Sequence, residues 1–385
     1  MSPQRIYLDY NATAPLLPAA RDAMIAALGL AGNASSIHAE GRAARQALEA
    51  ARSSVADLLG LGIRDITFTS GGTEAANLVL TPSLSDGGAP LARLFVSAGE
   101  HPCVLQGHRF PPEAVSTVPL QPDGCIDLAA LEALLGQPGG RVLLALQAAN
   151  NETGVLQPVA EAAALVHAAG GLLVCDAVQA AGRIDLRGLG ADALFISAHK
   201  IGGPKGAAAL AFGNPRLHIT GALVRGGGQE KGLRGGTENV AAIAGFGATA
   251  KAAVAFASEM ERLAVLRDAL EGQVTARFPD AVVFGQGASR LAQTSAFAVP
   301  DVPAETLLIA LDLGGVAVSS GAACSSGKVQ PSHVLRAMGV APELAKGALR
   351  ISLGAGTQGS DLEIFCGQLE KSVRNIRSRS VKTAA

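Results

Sequence analysis

Tryptophan is absent from this 385-residue chain, and aromatic residues make up only 3% of it. Proteins that hold single-stranded nucleic acid stack its bases on such rings, so that class of function is disfavoured. A net charge of −1 gives no electrostatic hold on a phosphate backbone, and no direct nucleic-acid partner is expected. Charged residues are scarce as well, at 16% against 49% hydrophobic, a balance that argues against disorder. No apolar run reaches the ~18 residues of a membrane helix, so no membrane is expected either. The start, Met1-Ser-Pro-Gln-Arg-Ile-Tyr-Leu-Asp9, shows no basic stretch leading into an apolar one, and no signal peptide is expected. The five cysteines (Cys103, Cys125, Cys175, Cys324 and Cys366) are scattered without a CxxC pair. They read as reduced thiols of a cytoplasmic protein, with no zinc site.

What is present is an alternation. The length suggests about two or three domains of ordinary size. Ala39 to Leu59 carries apolar residues at helical spacing, and Asp65 to Thr69 reads as a strand. Leu94–Ser97, Arg141–Leu146, Leu172–Cys175 and Ala193–Ser197 read as buried strands, with helical patterns such as Val159 to Ala169 between them. The pattern predicts an α/β fold on a largely parallel sheet, with functional residues in loops at the carboxyl ends of its strands. Glycine and arginine crowd the stretch from Gly213 to Gly236, which reads as an ordered functional loop. A long helical pattern from about Val240 to Arg277 then bridges to a smaller C-terminal unit with strands at Thr294–Val299 and Gly315–Ser319. There is no internal repeat. The basic tail from Arg374 onward is expected to fray.

One pairing turns this outline into chemistry. Lys200 closes the apolar run Phe195-Ile-Ser-Ala-His-Lys200, and Asp176 closes Leu172-Leu-Val-Cys-Asp176 upstream. A buried lysine loses its charge readily and can form a Schiff base with an aldehyde. An aspartate can hold a pyridine nitrogen protonated, so the pair suits pyridoxal phosphate. Singly, each also suits a bland role: a strand-end lysine reaching solvent, an aspartate capping a strand. Ser70-Gly-Gly-Thr-Glu74 lies between a strand and a helix, where bare N–H groups attract phosphate or where Glu74 simply completes a cap. His101, after the Leu94–Ser97 strand, suits ring stacking and proton transfer, or a plain loop. Asn150-Asn-Glu-Thr-Gly154 places an amide near the cofactor, or makes an ordinary turn. Cys324 sits in Ser319-Ser-Gly-Ala-Ala-Cys324-Ser-Ser-Gly327, a small-residue loop that suits an accessible thiolate as well as a buried small hydrophobe.

Two motif matches fail. Ser197-Ala-His-Lys200 has the S-x-x-K spacing of penicillin-binding enzymes, but no S-D-N or K-T-G accompanies it. Gly321 to Lys328 imitates a phosphate-binding Walker loop, yet it has an extra residue between its glycines and Val329 where a magnesium-binding hydroxyl is required.

Nearly end to end, the chain resembles the cysteine desulfurases, class V aminotransferase-like enzymes of fold type I. The matching segments start at Tyr7-Leu-Asp-Tyr-Asn11-Ala-Thr-Ala-Pro15 and Asn33-Ala-Ser-Ser-Ile-His38. They continue through Ser70-Gly-Gly-Thr73, Glu100-His101, Asn150-Asn151, Asp176-Ala-Val-Gln179 and Ser197-Ala-His199-Lys200. Arg234-Gly-Gly-Thr237, Ser319 to Gly327, Pro331-Ser-His-Val-Leu-Arg-Ala-Met-Gly339 and Leu349-Arg350 complete the set. The cysteine-bearing form is similar to that of the group I branch, which includes NifS-like and IscS-like enzymes. Pro102 and Ala207-Ala-Ala209 depart from the family pattern without removing a functional atom, and Cys103 and Cys175 read as packing residues.

The resemblance implies a large domain over 15–257 built on a mainly parallel sheet. A smaller α/β domain would combine 1–14 with 258–385 and carry the cysteine loop at 319–330. It implies that Lys200 bears the cofactor, Asp176 pairs with its ring nitrogen and Gln179 bonds its phenolic oxygen. Gly72, Thr73, Ser197 and His199 would hold the phosphate, joined by Thr237 from the other subunit of a homodimer. His101 would stack on the ring and move protons. Asn151, which also borders the cofactor, would bind substrate with Asn11 and Arg350. Cys324 would take the sulfur of L-cysteine as a persulfide, releasing L-alanine, and through that persulfide serve as a transient iron–sulfur ligand. An iron–sulfur scaffold or another acceptor would receive the sulfur, in a housekeeping or a nitrogen-fixation setting. A related lyase or transaminase, and a non-catalytic sulfur relay on the same fold, are the alternatives.

Overall fold

The computed structural model describes residues 5–320 and 331–383, with backbone only at 255, 257, 258 and 379–383. Its centre is a seven-stranded sheet. From one edge to the other the strands are Ile66–Thr69, Ala208–Phe212, Ala193–Ser197, Leu172–Asp176, Arg141–Gln147, Leu91–Ser97 and Val115–Val118. All run parallel except Ala208–Phe212, which is antiparallel to both neighbours. Both faces of the sheet are covered. Along Arg141–Gln147, Leu144 and Leu146 join one hydrophobic cluster while Leu143 and Ala145 join another on the opposite face. That two-sided burial explains why these strands appear in sequence as continuous apolar runs without alternation.

The helices Ala39–Leu59 and Val240–Ala253 pack closely over one face. Their approach depends on Gly247, where a Cβ would lie 2.4 Å from the Ala51 Cα. A separate cluster gathers Ile6 and Leu8 with Leu270, Phe297, Ile351 and Phe365. It is built on the antiparallel strands Val282–Val283, Thr294–Ala298 and Ala348–Ser352. Beside it, Ile6–Tyr7 pairs in parallel with Val316–Ala317. The N-terminal strand therefore packs with the C-terminal third of the chain.

The structure corrects two expectations. The helical pattern of 240–277 is not one helix: a 3-10 turn, Val254–Phe256, separates Val240–Ala253 from Ala257–Arg277. The tail does not fray at Arg374, because the helix Gly359–Thr383 continues through it. Val373 is buried and Ile376 packs on the same cluster, while Arg377 donates to Asp280 at 2.6 Å and to the Pro300 carbonyl. Tertiary contacts hold what composition alone would release. Among the described residues no helix is long and apolar enough to cross a membrane.

The packing predicts opposite outcomes at two helical glycines. Gly247→Leu must push the helices apart and should cost about 1–3 kcal/mol or more in denaturant unfolding. Gly272→Ala, on an exposed face with nothing within 4 Å, should instead stabilise by about 0.8–1 kcal/mol.

Candidate active site

The carboxyl ends of the parallel strands open into one cleft of about 540 Å³. Asp176 ends one strand and lies level with Gln147 on the neighbouring strand. On its other side the Ala193–Ser197 strand leads directly into a 3-10 turn ending at Lys200. Gly72 and Thr73 enter from the start of the helix Gly72–Val79, and His101 follows the Leu91–Ser97 strand. Gln179, Ser197, His199, Asn151, Asn11 and Arg350 complete the predicted set within the cleft. Thr237 is not among them. It is exposed and lines a separate hollow of about 120 Å³ with Ser70, Gly206 and Arg234. Cys324 lies outside the described residues.

Burial moves the two central charges towards each other. The Asp176 carboxyl is pushed up to about 6 by desolvation, opposed by the Val178 N–H and by Lys200. The Lys200 amine is brought down to about 8 by desolvation, with Arg350 and Arg183 adding repulsion. Lys200 Nζ donates to the backbone carbonyls of Asn11 at 2.7 Å and Ala12 at 3.0 Å. His101 and His199 are both lowered to about 4, first by burial and then by Lys200, so both rings are neutral at pH 7. The Cys103 N–H donates to His101 Nδ1 at 3.2 Å, which leaves Nε2 as the protonated nitrogen of that neutral ring. His101 thereby caps the short helix Pro102–Leu105, and Pro102 fits there because its first position needs no N–H.

The family-like segments divide into residues facing the cleft and residues that hold them. Asn150 makes the turn: its Oδ1 accepts the N–H groups of Glu152 and Thr153, both at 2.9 Å. Asn151, next in sequence, lines the cleft. The side chain of Asn11 is engaged within the protein, donating from Nδ2 to Thr294 Oγ1 at 2.9 Å and to the Asn151 carbonyl. Glu74 completes its cap by accepting the Ser70 N–H at 3.0 Å, while the Gly71–Gly72 entry keeps its helix start bare of side-chain caps. Cys175 is fully buried, and burial raises both its thiol and that of Cys103, keeping them protonated.

Sequence reasoning gave no role to Asp9, Glu100, Glu152, Arg183 or His333. Arg350 donates from Nη2 to Asp9 Oδ1 at 2.7 Å and from Nη1 to the Asn151 carbonyl, while its buried Nε has no partner among the described residues. Arg183 donates to Gln179 Oε1 at 2.6 Å and to the Lys200 carbonyl at 2.9 Å. The four-residue spacing from Gln179 to Arg183 was the available signal. The other four needed the fold to bring them near.

The cleft fits pyridoxal phosphate by its own chemistry. Asp176 is fully desolvated with one oxygen on the Val178 N–H at 2.9 Å, the arrangement of a carboxylate kept for a protonated ring nitrogen. A Cβ at Gly72 would come within 3.2 Å of Val178, so glycine keeps the cradle at the helix start open. An amine lowered to about 8 stands just past the neighbouring strand end.

A lowered amine value means that the nucleophilic form appears at lower pH. In cofactor-free protein, borohydride trapping with pyridoxal phosphate should label the Lys200 peptide with a pH midpoint near 8, against 10.5 for an ordinary lysine. Peptide mass spectrometry reads both position and midpoint, and a midpoint above 10 would sink the burial argument.

Residues 6–365 match the family model described as aminotransferase class-V. A protein of Cereibacter sphaeroides named cysteine desulfurase is 42% identical over 389 residues, covering 98% of each chain. A cysteine desulfurase IscS of Dictyoglomus turgidum is 37% identical over 98% of this chain and 96% of its own. Among solved structures, a NifS-like protein from Rickettsia africae superposes with a TM-score of 0.87 at 36% identity, covering 96% of this chain and 100% of that one. The strand-end lysine and aspartate, the glycine cradle and these full-length matches agree: the chain belongs to the class-V aminotransferase family, whose members work with pyridoxal phosphate.

Proposed function

We propose that this chain is a pyridoxal-phosphate-dependent cysteine desulfurase that turns L-cysteine into L-alanine and keeps the sulfur as a persulfide on Cys324. The observation that carries this reading is the meeting of Lys200, Asp176, His101 and Arg350 in one cleft of a chain with full-length relatives named cysteine desulfurase.

Bound pyridoxal phosphate supplies an electron sink for the substrate carbons. Lys200 holds the cofactor and moves the substrate's α-proton, for which an amine poised near pH 8 is suited. Asp176 keeps the ring nitrogen protonated, and Gln179 bonds the phenolic oxygen. Gly72, Thr73, Ser197 and His199 hold the phosphate, His101 covers the ring, and Asn151 borders it. Arg350 and Asn151 take the substrate carboxylate. The Nε of Arg350, without a partner among the described residues, supports that role. Asn11 supports the substrate position through its bonds to Asn151 and Lys200. The Cys324 thiolate then attacks the substrate sulfur. A sulfur–sulfur bond forms, the carbon–sulfur bond breaks, and its electron pair stays on carbon, which takes up a proton to become the methyl group of alanine.

The same proposal extends to the assembly. Thr237 serves the phosphate of a partner subunit in a homodimer, a reading supported by its exposed place outside its own cleft. Residues 15–257 form the large domain, and 1–14 with 258–385 the small one, supported by their separate hydrophobic clusters. The enzyme works in the cytoplasm and passes sulfur to an iron–sulfur scaffold or a comparable acceptor. Its Cys324 persulfide is then a transient iron ligand, in a housekeeping or nitrogen-fixation setting.

Two variants test the core of this. Cys324→Ala should retain the visible absorbance of bound cofactor and lose alanine formation from L-cysteine; alanine at the wild-type rate would remove Cys324 from its role. Asp176→Asn, which keeps shape and removes charge, should lower kcat by about a hundredfold, as loss of a preorganised charge does.

A further inference from the structure

The chain leaves the 321–330 segment at Pro331 and at once makes two hydrogen bonds into the cleft wall. Ser332, 3% exposed, donates its hydroxyl to Glu152 Oε2 and accepts the Leu335 N–H at 3.0 Å, capping the helix His333–Ala337. His333 lines the cleft and places Nε2 2.8 Å from the Glu100 carbonyl oxygen, so Nε2 carries the proton and donates it. Each acceptor adjoins a residue of the proposed site: Glu152 follows Asn151, and Glu100 precedes His101.

The carboxyl groups of these two glutamates, one the acceptor of Ser332 and the other beside the carbonyl that accepts His333, are costly to bury. Glu152 is 5% exposed and Glu100 is 0% exposed, and desolvation raises both carboxyls. Glu152 Oε2 accepts the Ser332 hydroxyl, and Glu100 Oε1 accepts the Gln147 N–H at 2.5 Å. On the near side of the segment, Ser319 and Arg350 exchange backbone hydrogen bonds of 2.7 and 3.2 Å. The described chain before residue 321 is thus tied to the strand of Arg350, and the chain after residue 330 to the turns of Asn151 and His101.

We propose that Ser332 and His333, held on Glu152 and Glu100, are positioning residues for the sulfur-transfer half of the reaction. They fix the helix His333–Ala337, which follows residues 321–330 in the chain, to the same turns that carry the substrate-facing side chains. The proposal rests on the cysteine desulfurase reading. Orientation of this kind governs a bond-forming step steeply, since an ångström of misplacement can cost about a hundredfold. The side chains assigned above to substrate and cofactor are others: Asn151 and Arg350 for the carboxylate, Lys200 and Asp176 for the cofactor.

Holoenzyme variants separate these effects. Ser332→Ala and His333→Leu break the two ties. Glu152→Gln and His333→Gln keep an acceptor and a donor in place. The readouts are cofactor absorbance, the absorbance change on adding L-cysteine, the single-turnover rate of Cys324 persulfide formation by alkylation and mass spectrometry, and the melting temperature. Ser332→Ala and His333→Leu should bind L-cysteine within about twofold of wild type and form persulfide about tenfold more slowly or worse. The glutamine variants should recover most of that rate. Persulfide formation at the wild-type rate in both disrupting variants would overturn the proposal. So would a loss of L-cysteine binding, melting temperature and persulfide together that the glutamine variants do not relieve. Wild-type holoenzyme that forms no alanine would instead overturn the underlying reading, and the proposal with it.

Discussion

Everything in this site depends on burying a carboxyl and an amine at the ends of two adjacent parallel strands. In water the two groups would titrate far apart. Removed from water they lie at about 6 and about 8, on either side of neutrality. Each is then one modest interaction away from changing charge, which is the condition for moving protons at pH 7. The strand register sets the arrangement: Asp176 is level with Phe195, and the chain needs only the short turn after Ser197 to bring Lys200 round. Longer loops would have given the same residues without the same desolvation.

The N-terminal segment supplies the second constraint. Asn11 is buried at 1% exposure, and its carbonyl accepts from both Lys200 Nζ and Gln179 Nε2. Its own N–H donates to Ser352 on the C-terminal antiparallel sheet. One residue near the start of the chain therefore joins the sheet that carries Lys200 to the sheet that carries Arg350. The arginine is held in turn by Asp9, two residues earlier. The guanidinium at the proposed carboxylate site and the amine of the proposed cofactor lysine are both held by residues 9–12, one by the Asp9 carboxylate and the other by backbone carbonyls.

The fold class, most central strands and the Asp176–Lys200 pair were legible because their signals are local, whereas residues such as Asn11, Gln179 and Arg350 were reached only through the family resemblance. Buried parallel strands read as apolar runs, and the groups at their carboxyl ends follow within a few residues. Ala193–Ser197 matched to the residue, whereas Leu91–Ser97 began earlier than the apolar run suggested because Arg93 interrupts it. That arginine is accommodated by donating to the Gly140 carbonyl and lying over the Phe95 ring. The break at Val254–Phe256 was not legible, since helical periodicity continues through it. Arg183, Glu100 and Glu152 were also missed. Arg183 lies only four residues from Gln179, a spacing that carried the signal, whereas only folding places Glu100 and Glu152 against Gln147 and Ser332.

The scarcity of aromatic residues bears on how such a site stays rigid. With few rings to fill space, the core relies on alanine, glycine and branched aliphatics. Ala207, Ala208 and Ala209, a departure from the family pattern, are all essentially buried at the start of the strand Ala208–Phe212 beside Ser197. Small side chains there let backbone meet backbone: the Ala198 N–H reaches the Ala207 carbonyl at 3.0 Å, and the Gly203 N–H reaches the Ala198 carbonyl at 2.8 Å. The turn bearing Lys200 is thus held by main-chain hydrogen bonds, whose geometry varies less than that of packed flexible side chains. Site residues on rigid elements need little reorganisation when charge moves, and that preorganisation is where such a catalyst draws its rate. An interior built from the smallest side chains suits a reaction in which two desolvated groups must hold their separation.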